Sequence, residues 1–142
     1  PVFAGDIVRR IEGTLQNHPI THGRDSSELV QYVTSFAGQA FRIQRKIPAE
    51  PLMILDKHSI LLLPRKAWEF SDQTPRIGAG GMLQGAALEI GSGRVAVFGE
   101  AAMFTAQLAG KKHKPMGMNH PKASQNSQFL LNVMHWLSRV LP

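Results

Sequence analysis

A chain of 142 residues, 43% of them hydrophobic, is one ordinary domain with enough apolar material to bury a core unaided. It holds no cysteine, which excludes disulfides, thiolate metal sites, iron–sulfur clusters and a cysteine nucleophile together and leaves the redox compartment open. The formal charge of +6 draws anions, yet the basic residues fall in small clusters, Arg9-Arg10, Arg42 to Lys46 and Lys111 to Lys114, without the interleaved aromatics that stack on bases; each cluster reads as a solvated loop, and nucleic acid is not the expected partner.

No repeat, low-complexity tract or linker divides the chain, and no apolar run approaches the length that crosses a bilayer. It opens Pro1-Val2-Phe3 without an initiator methionine and reads as a processed form or a fragment. Ile7 to Ile11 is a short strand ended by the turn Glu12-Gly13-Thr14. In His18-Pro19-Ile20-Thr21 the proline holds its predecessor extended and blocks a helix. Leu29 to Phe36 is a strand, left through a loop or bulge at Ala37 to Arg42. Leu52 to Leu55 and Ser59 to Leu63 are short buried strands, the second closed by Pro64, and Arg65 to Pro75 is an irregular excursion.

Leu83 to Ile90 and Arg94 to Phe98 form an antiparallel hairpin across the turn Gly91-Ser92-Gly93, where glycine supplies positive φ. Past the corner Gly99-Glu100, Ala101 to Leu108 has helix-forming composition and ends at Gly110, and Lys111 to Pro121 is a mobile loop. Ser124 caps a last helix in which Asn126, Phe129, Leu130, Val133, Leu137 and Val140 form one stripe. Asn126 and Asn132 interrupt that stripe, and their amides are expected to tie down neighbouring loops rather than a ligand.

The pattern from Gly91 to Glu100, followed by Asn126-Ser127-Gln128-Phe129-Leu130-Leu131-Asn132-Val133-Met134-His135-Trp136-Leu137, resembles the carboxyl-terminal half of class I glutamine amidotransferase-like domains. It is similar in particular to their uncharacterised bacterial members, to the trehalose-utilisation-type proteins, and more distantly to the domain of this kind in gliding-motility and intraflagellar-transport proteins. His18-Pro19-Ile20-Thr21-His22-Gly23 resembles the segment that introduces a strand after the central helix in those domains. The resemblance implies a flavodoxin-like three-layer α/β/α sandwich with helices on both faces of a mixed sheet. It further implies that residues 1–142 are a partial domain, with Pro1 midway through the parent. Active relatives carry a cysteine on a nucleophile elbow; here that cysteine and any Gly-x-Ser-x-Gly substitute are missing, so glutamine hydrolysis by this chain alone is not expected.

Glu100, just past a buried strand, could accept backbone N–H bonds or act as a base, but reads first as a first-turn acid of the following helix, favoured by its dipole; His120, in a glycine-methionine loop, is its candidate catalytic companion. His18 and His22 have the spacing of a helical metal pair, but the intervening Pro19 and the absence of a nearby acid weigh against a metal, and no cofactor is expected. Met103, Met116 and Met118 read as packing residues. Gln39, Arg42, Gln84 and Gln107 lie near strand ends or glycines; converging with Glu100 and Asn119 they would make an amide-rich pocket suited to a sugar. Two functions follow: a non-catalytic domain binding a carbohydrate or a partner in the cell envelope, or a hydrolase whose nucleophile or metal comes from elsewhere. A shortened sheet also exposes a strand edge, so a homo-oligomer is expected.

Overall fold

The computed structural model describes residues 7–9, 12–66 and 69–142. In chain order the elements are β1 (Ile7–Arg9), α1 (Pro19–His22), β2 (Tyr32–Thr34), β3 (Glu50–Ile54), β4 (Ile60–Leu62), β5 (Arg76–Gly78), β6 (Leu83–Ile90), β7 (Gly93–Phe98), a 3₁₀ turn (Ala102–Phe104), β8 (Ala106–Ala109), β9 (Lys114–Gly117) and α2 (Asn126–Leu137). The class is mixed α/β with few helices, and every strand pairing among the described residues is antiparallel: β1 with β2, β4 with β5, β8 with β9, and a three-stranded sheet in the order β3-β6-β7.

The hairpin β6–β7 forms as its glycines dictate. Gly91 takes φ +57°, and the register runs from Ile90 opposite Gly93 to Gly85 opposite Phe98. Side chains alternate along β7. Ala96 and Phe98 turn to the core beneath α2, while Val95 and Val97 stay 38% and 44% exposed on the other face. Beneath α2 the core gathers Leu15, Ile20, Val30, Val33, Leu52, Met53 and Met103 against Phe129, Val133 and Trp136, and Phe129 meets the rings of Phe98 and Phe104 at 5.7 and 6.0 Å. Each fully buried large apolar side chain of this group stabilises by about 1.5 to 3 kcal/mol.

The terminal helix turns the first part of the expected stripe inward, with Asn126, Phe129 and Val133 buried, and departs from it at the end. Trp136 is buried in place of Leu137, which is 36% exposed, and Val140 is 53% exposed past the end of the helix, where Arg139 takes a left-handed φ of +63°. Ser124 is not its cap. Gln125 occupies that position without a capping side-chain bond, and Ser124 Oγ instead meets the Tyr32 hydroxyl at 2.5 Å. Both asparagines bond to neighbouring backbone, Asn126 to β2 and the 3₁₀ turn and Asn132 to α1 and the loop at Glu28, rather than to loops alone as expected. Asn126 accepts from the Thr34 amide at 2.9 Å and donates to the carbonyls of Thr34 and Met103, and Asn132 donates to the carbonyls of Ile20 and Glu28 at 2.9 Å each.

Three further expectations are corrected. Pro19 does not block a helix: it holds His18 extended, as expected, and His18 is the N-cap of α1, but Pro19 itself takes the first helical position, where its fixed φ and missing N–H suit a helix. Ala101 to Leu108 is not a helix. It breaks after one 3₁₀ turn into β8, because pairing with β9 outweighs local propensity, and the same pairing orders part of the loop expected at Lys111 to Pro121. The strand expected over Leu29 to Phe36 contracts to Tyr32–Thr34, and of the one expected over Ile7 to Ile11 residues 10 and 11 lie outside the described residues.

Candidate functional site

Glu100 stands where the sequence places it, just beyond the end of β7, and its surroundings explain why. Gly99 donates to the Gln84 carbonyl at 2.9 Å and accepts from the Gln39 amide at 2.8 Å, so residues 36–41 are clamped beside the end of the β6–β7 hairpin. Only glycine fits there: a Cβ on Gly99 would come within 1.9 Å of the Gln39 carbonyl oxygen. Phe41 and Leu83 exchange backbone hydrogen bonds at 2.9 Å and extend the clamp.

Within this corner Glu100 Oε1 accepts from the amides of Phe36 at 2.8 Å and Ala37 at 2.6 Å. Oε2 is buried without a partner, and the Ser35 hydroxyl, also buried, approaches the carboxyl without good hydrogen-bond geometry. Burial pushes the Glu100 carboxyl above the usual carboxylate range, and the amides of Ala37 and Phe36, with Ser35, pull less strongly the other way. One oxygen is thus committed to the backbone and the charged form is disfavoured. The acid is a tether.

What it tethers is one wall of a groove. The Phe36 ring meets the His120 imidazole edge-on, with centroids 5.3 Å apart. Phe36 and His120, together with Thr34, Met116, Lys114 and Lys122, line a recess of about 470 Å³ between the end of β2 and the β8–β9 hairpin; Ala109, Gly110 and Pro115 complete it. Thr34 Oγ1 donates to the Lys122 carbonyl at 2.6 Å, and Gly117, at φ +126° with the Thr105 carbonyl 2.1 Å from where a Cβ would stand, lets β9 close against the 3₁₀ turn. The Lys122 amide donates to His120 Nδ1 at 3.2 Å, which leaves Nε2 as the protonated nitrogen of the neutral ring. The lining contains lysines and a histidine and no carboxylate.

The six expected ligand-binding residues divide. Gln39 and Gln84 adjoin Glu100 through backbone bonds alone: Gln39 is exposed, and Gln84 is buried with both amide atoms unpaired. Arg42 is exposed just past the Phe41 bridge. Gln107 and Asn119 meet on the β8–β9 hairpin, where Asn119 Nδ2 donates to the Gln107 carbonyl at 3.2 Å. No hydrogen bond among the described residues joins that pair to the Glu100 corner. Glu100 and His120, the candidate catalytic pair, both contact Phe36, the acid at its amide and the imidazole at its ring, and are not bonded to each other.

His18 is buried as a cap, its Nδ1 accepting from the Ile20 amide at 3.1 Å, and among the described residues no three His, Asp or Glu side chains gather in a metal-binding arrangement. A further recess, about 600 Å³ in the 64–75 loop, presents Lys66 and Glu69 already paired with each other at 2.5 Å. Phe36, Met116 and Lys122 were not legible as site residues, since they come together only through the β8–β9 pairing. The one local signal was the basic run Lys111 to Lys114 ahead of Met116. Comparison with protein-family models, with curated proteins and with solved structures finds no match for this chain. No helix among the described residues is long and apolar enough to cross a membrane.

Proposed function

We propose that this chain is a non-catalytic binding module of an amidotransferase-like α/β fold, which holds a small ligand such as a sugar, or a segment of an envelope partner, in the groove between β2 and the β8–β9 hairpin. The observation that carries the reading is the use made of Glu100. The acid best placed for chemistry spends Oε1 on two backbone amides and so holds Phe36 as a wall of the recess. A general base must reach a proton of the bound molecule, and Glu100, buried with Oε1 on two backbone amides, is not among the residues that line the recess. A flavodoxin-like sandwich goes with this reading. It is supported by α2 lying along one face of the β3-β6-β7 sheet while the opposite face keeps Val95, Val97 and Ile90 in the open, which is the face a further layer covers.

Amide-detected NMR with a panel of neutral glycosides and small organic acids tests the proposal. Binding is expected to move resonances of Phe36, Met116 and His120, and Glu100→Gln, which keeps an acceptor for both amides, should leave those shifts in place. A panel that moves nothing around the recess, or a turnover lost on Glu100→Gln, overturns it.

The same open face and the edge strand β7 support self-association of the chain, with a second copy adding to the sheet.

A further inference from the structure

Resting on the binding reading above, we infer that the groove selects small organic anions with an apolar body, phosphate monoesters or carboxylates, over neutral sugars. Lys114 and Lys122 come to one recess from β9 and from the loop ahead of α2, and no lining residue carries a negative charge to answer them. Among the described residues neither lysine takes part in an ion pair. His120 adds a donor of the same sense: its Nδ1 is occupied by the Lys122 amide, so Nε2 is left to donate. The positive side of the recess faces an apolar one. Phe36 is fixed in place by the Glu100 bond to its amide and by its edge-on contact with His120, and Met116 supplies an adaptable thioether beside it. A neutral polyol carries no charge to answer the two ammonium groups and places hydroxyls beside an aromatic ring and a thioether. An anion joined to an aryl or alkyl group satisfies both sides at once.

Lysine is a point charge on a flexible stem, so the preference is for negative charge rather than for a planar carboxylate geometry, and phosphate and carboxylate are taken alike. Because the ammonium groups are solvated, each contributes a few-fold in affinity. Removal of both is read as roughly a tenfold loss.

The experiment titrates the 142-residue chain with phenyl phosphate, inorganic phosphate and phenyl β-glucoside, following amide and methyl resonances, in the wild type and in the double variant Lys114→Gln, Lys122→Gln. Both lysines are exposed and the Lys122 contacts run through its backbone, so the variant should keep the wild-type spectrum away from the groove. Phenyl phosphate is expected to shift Phe36, Met116 and His120, to bind more tightly than inorganic phosphate, and to weaken roughly tenfold in the double variant and with added salt. Equal binding of phenyl phosphate by wild type and variant overturns the inference, as does inorganic phosphate binding as tightly as the ester. If phenyl β-glucoside shifts the groove and phenyl phosphate does not, the anion preference fails while the binding module stands. If none of the three shifts the groove, both fail.

Discussion

Glu100 shows how one buried carboxyl can be worth more as an acceptor than as a charge. Replacement by alanine leaves the Phe36 and Ala37 amides unpaired in a half-buried corner and is expected to cost about 1 to 3 kcal/mol, read as a drop in the urea midpoint. Glutamine keeps the acceptor and removes the charge, so at neutral pH Glu100→Gln should match or exceed the wild type. The pH dependence has a fixed sign. Because burial raises the folded-state pKa above the unfolded one, the contribution of Glu100 to stability is fully present below the usual carboxylate pKa and is lost as pH rises through the raised value. The wild type minus Glu100→Gln stability difference should therefore fall as pH goes from about 4 to about 8. A difference that is flat, or that rises, contradicts the burial argument. Asn126 makes the complementary case with a neutral group. It is fully buried and holds Thr34 at both backbone atoms and Met103 at its carbonyl, so Asn126→Ala is expected to cost at least about 2 kcal/mol without changing the pH profile, as equilibrium unfolding would show.

Among the elements, α1 is too short to persist on its own hydrogen bonds and depends on its cap and on what it touches. His18 Nδ1 accepts from Ile20 while Thr21 Oγ1 accepts from the His18 amide, a reciprocal box, and the imidazole lies edge-on to Trp136 at 5.3 Å. Burial pushes the His18 imidazole down, and protonation would take away the lone pair that caps the helix. Its contribution is present above the ordinary histidine pKa and disappears as pH falls through the depressed one. His18→Asn, which retains a capping oxygen, should remove that acid sensitivity, and His18→Ala should cost about 0.5 to 2 kcal/mol, both read by thermal unfolding across the acidic range. The hairpin β6–β7 and the existence of α2 were legible because their signals are local: a glycine turn with alternating apolar residues, and a period near 3.6. The inward face of α2 was not fully so, since Trp136 and Leu137 are both apolar and only the docked register decides between them. In the same way Glu100 was visible as a corner acid from the two residues Gly99-Glu100. The groove it supports draws on β2, β9 and the loop before α2, and such a convergence carries no local mark. Where Ala101 to Leu108 looked helical, the deciding partner was β9, several residues further on.

For the whole molecule, the open side of the β3-β6-β7 sheet sets the last expectation. β7 is the edge strand, and along it Val95 and Val97 lie exposed beside Ile90, itself 63% exposed at the end of β6. The other edge is not equally free: Gln16 donates to the Leu52 carbonyl and Ile54 to the Thr14 carbonyl, so residues 14–16 already cover β3. Two β7 strands set antiparallel about Ala96 would bring Val95 opposite Val97 and Arg94 opposite Phe98, with no like charges facing and two apolar pairs gained; each such pair contributes about 0.2 to 1 kcal/mol beyond the backbone bonds. Arg94 is held back for its own chain, donating to the Trp136 and Leu141 carbonyls at 2.8 and 2.7 Å, where a cation suits the end of α2. Light scattering is therefore expected to report a mass that climbs with concentration. Val97→Lys, placed on the exposed face and outside the core, should return the chain to a monomer while leaving its circular dichroism unchanged. A wild type that stays monomeric at high concentration rules the edge out, and a Val97→Lys chain that assembles as readily as the wild type places the contact elsewhere.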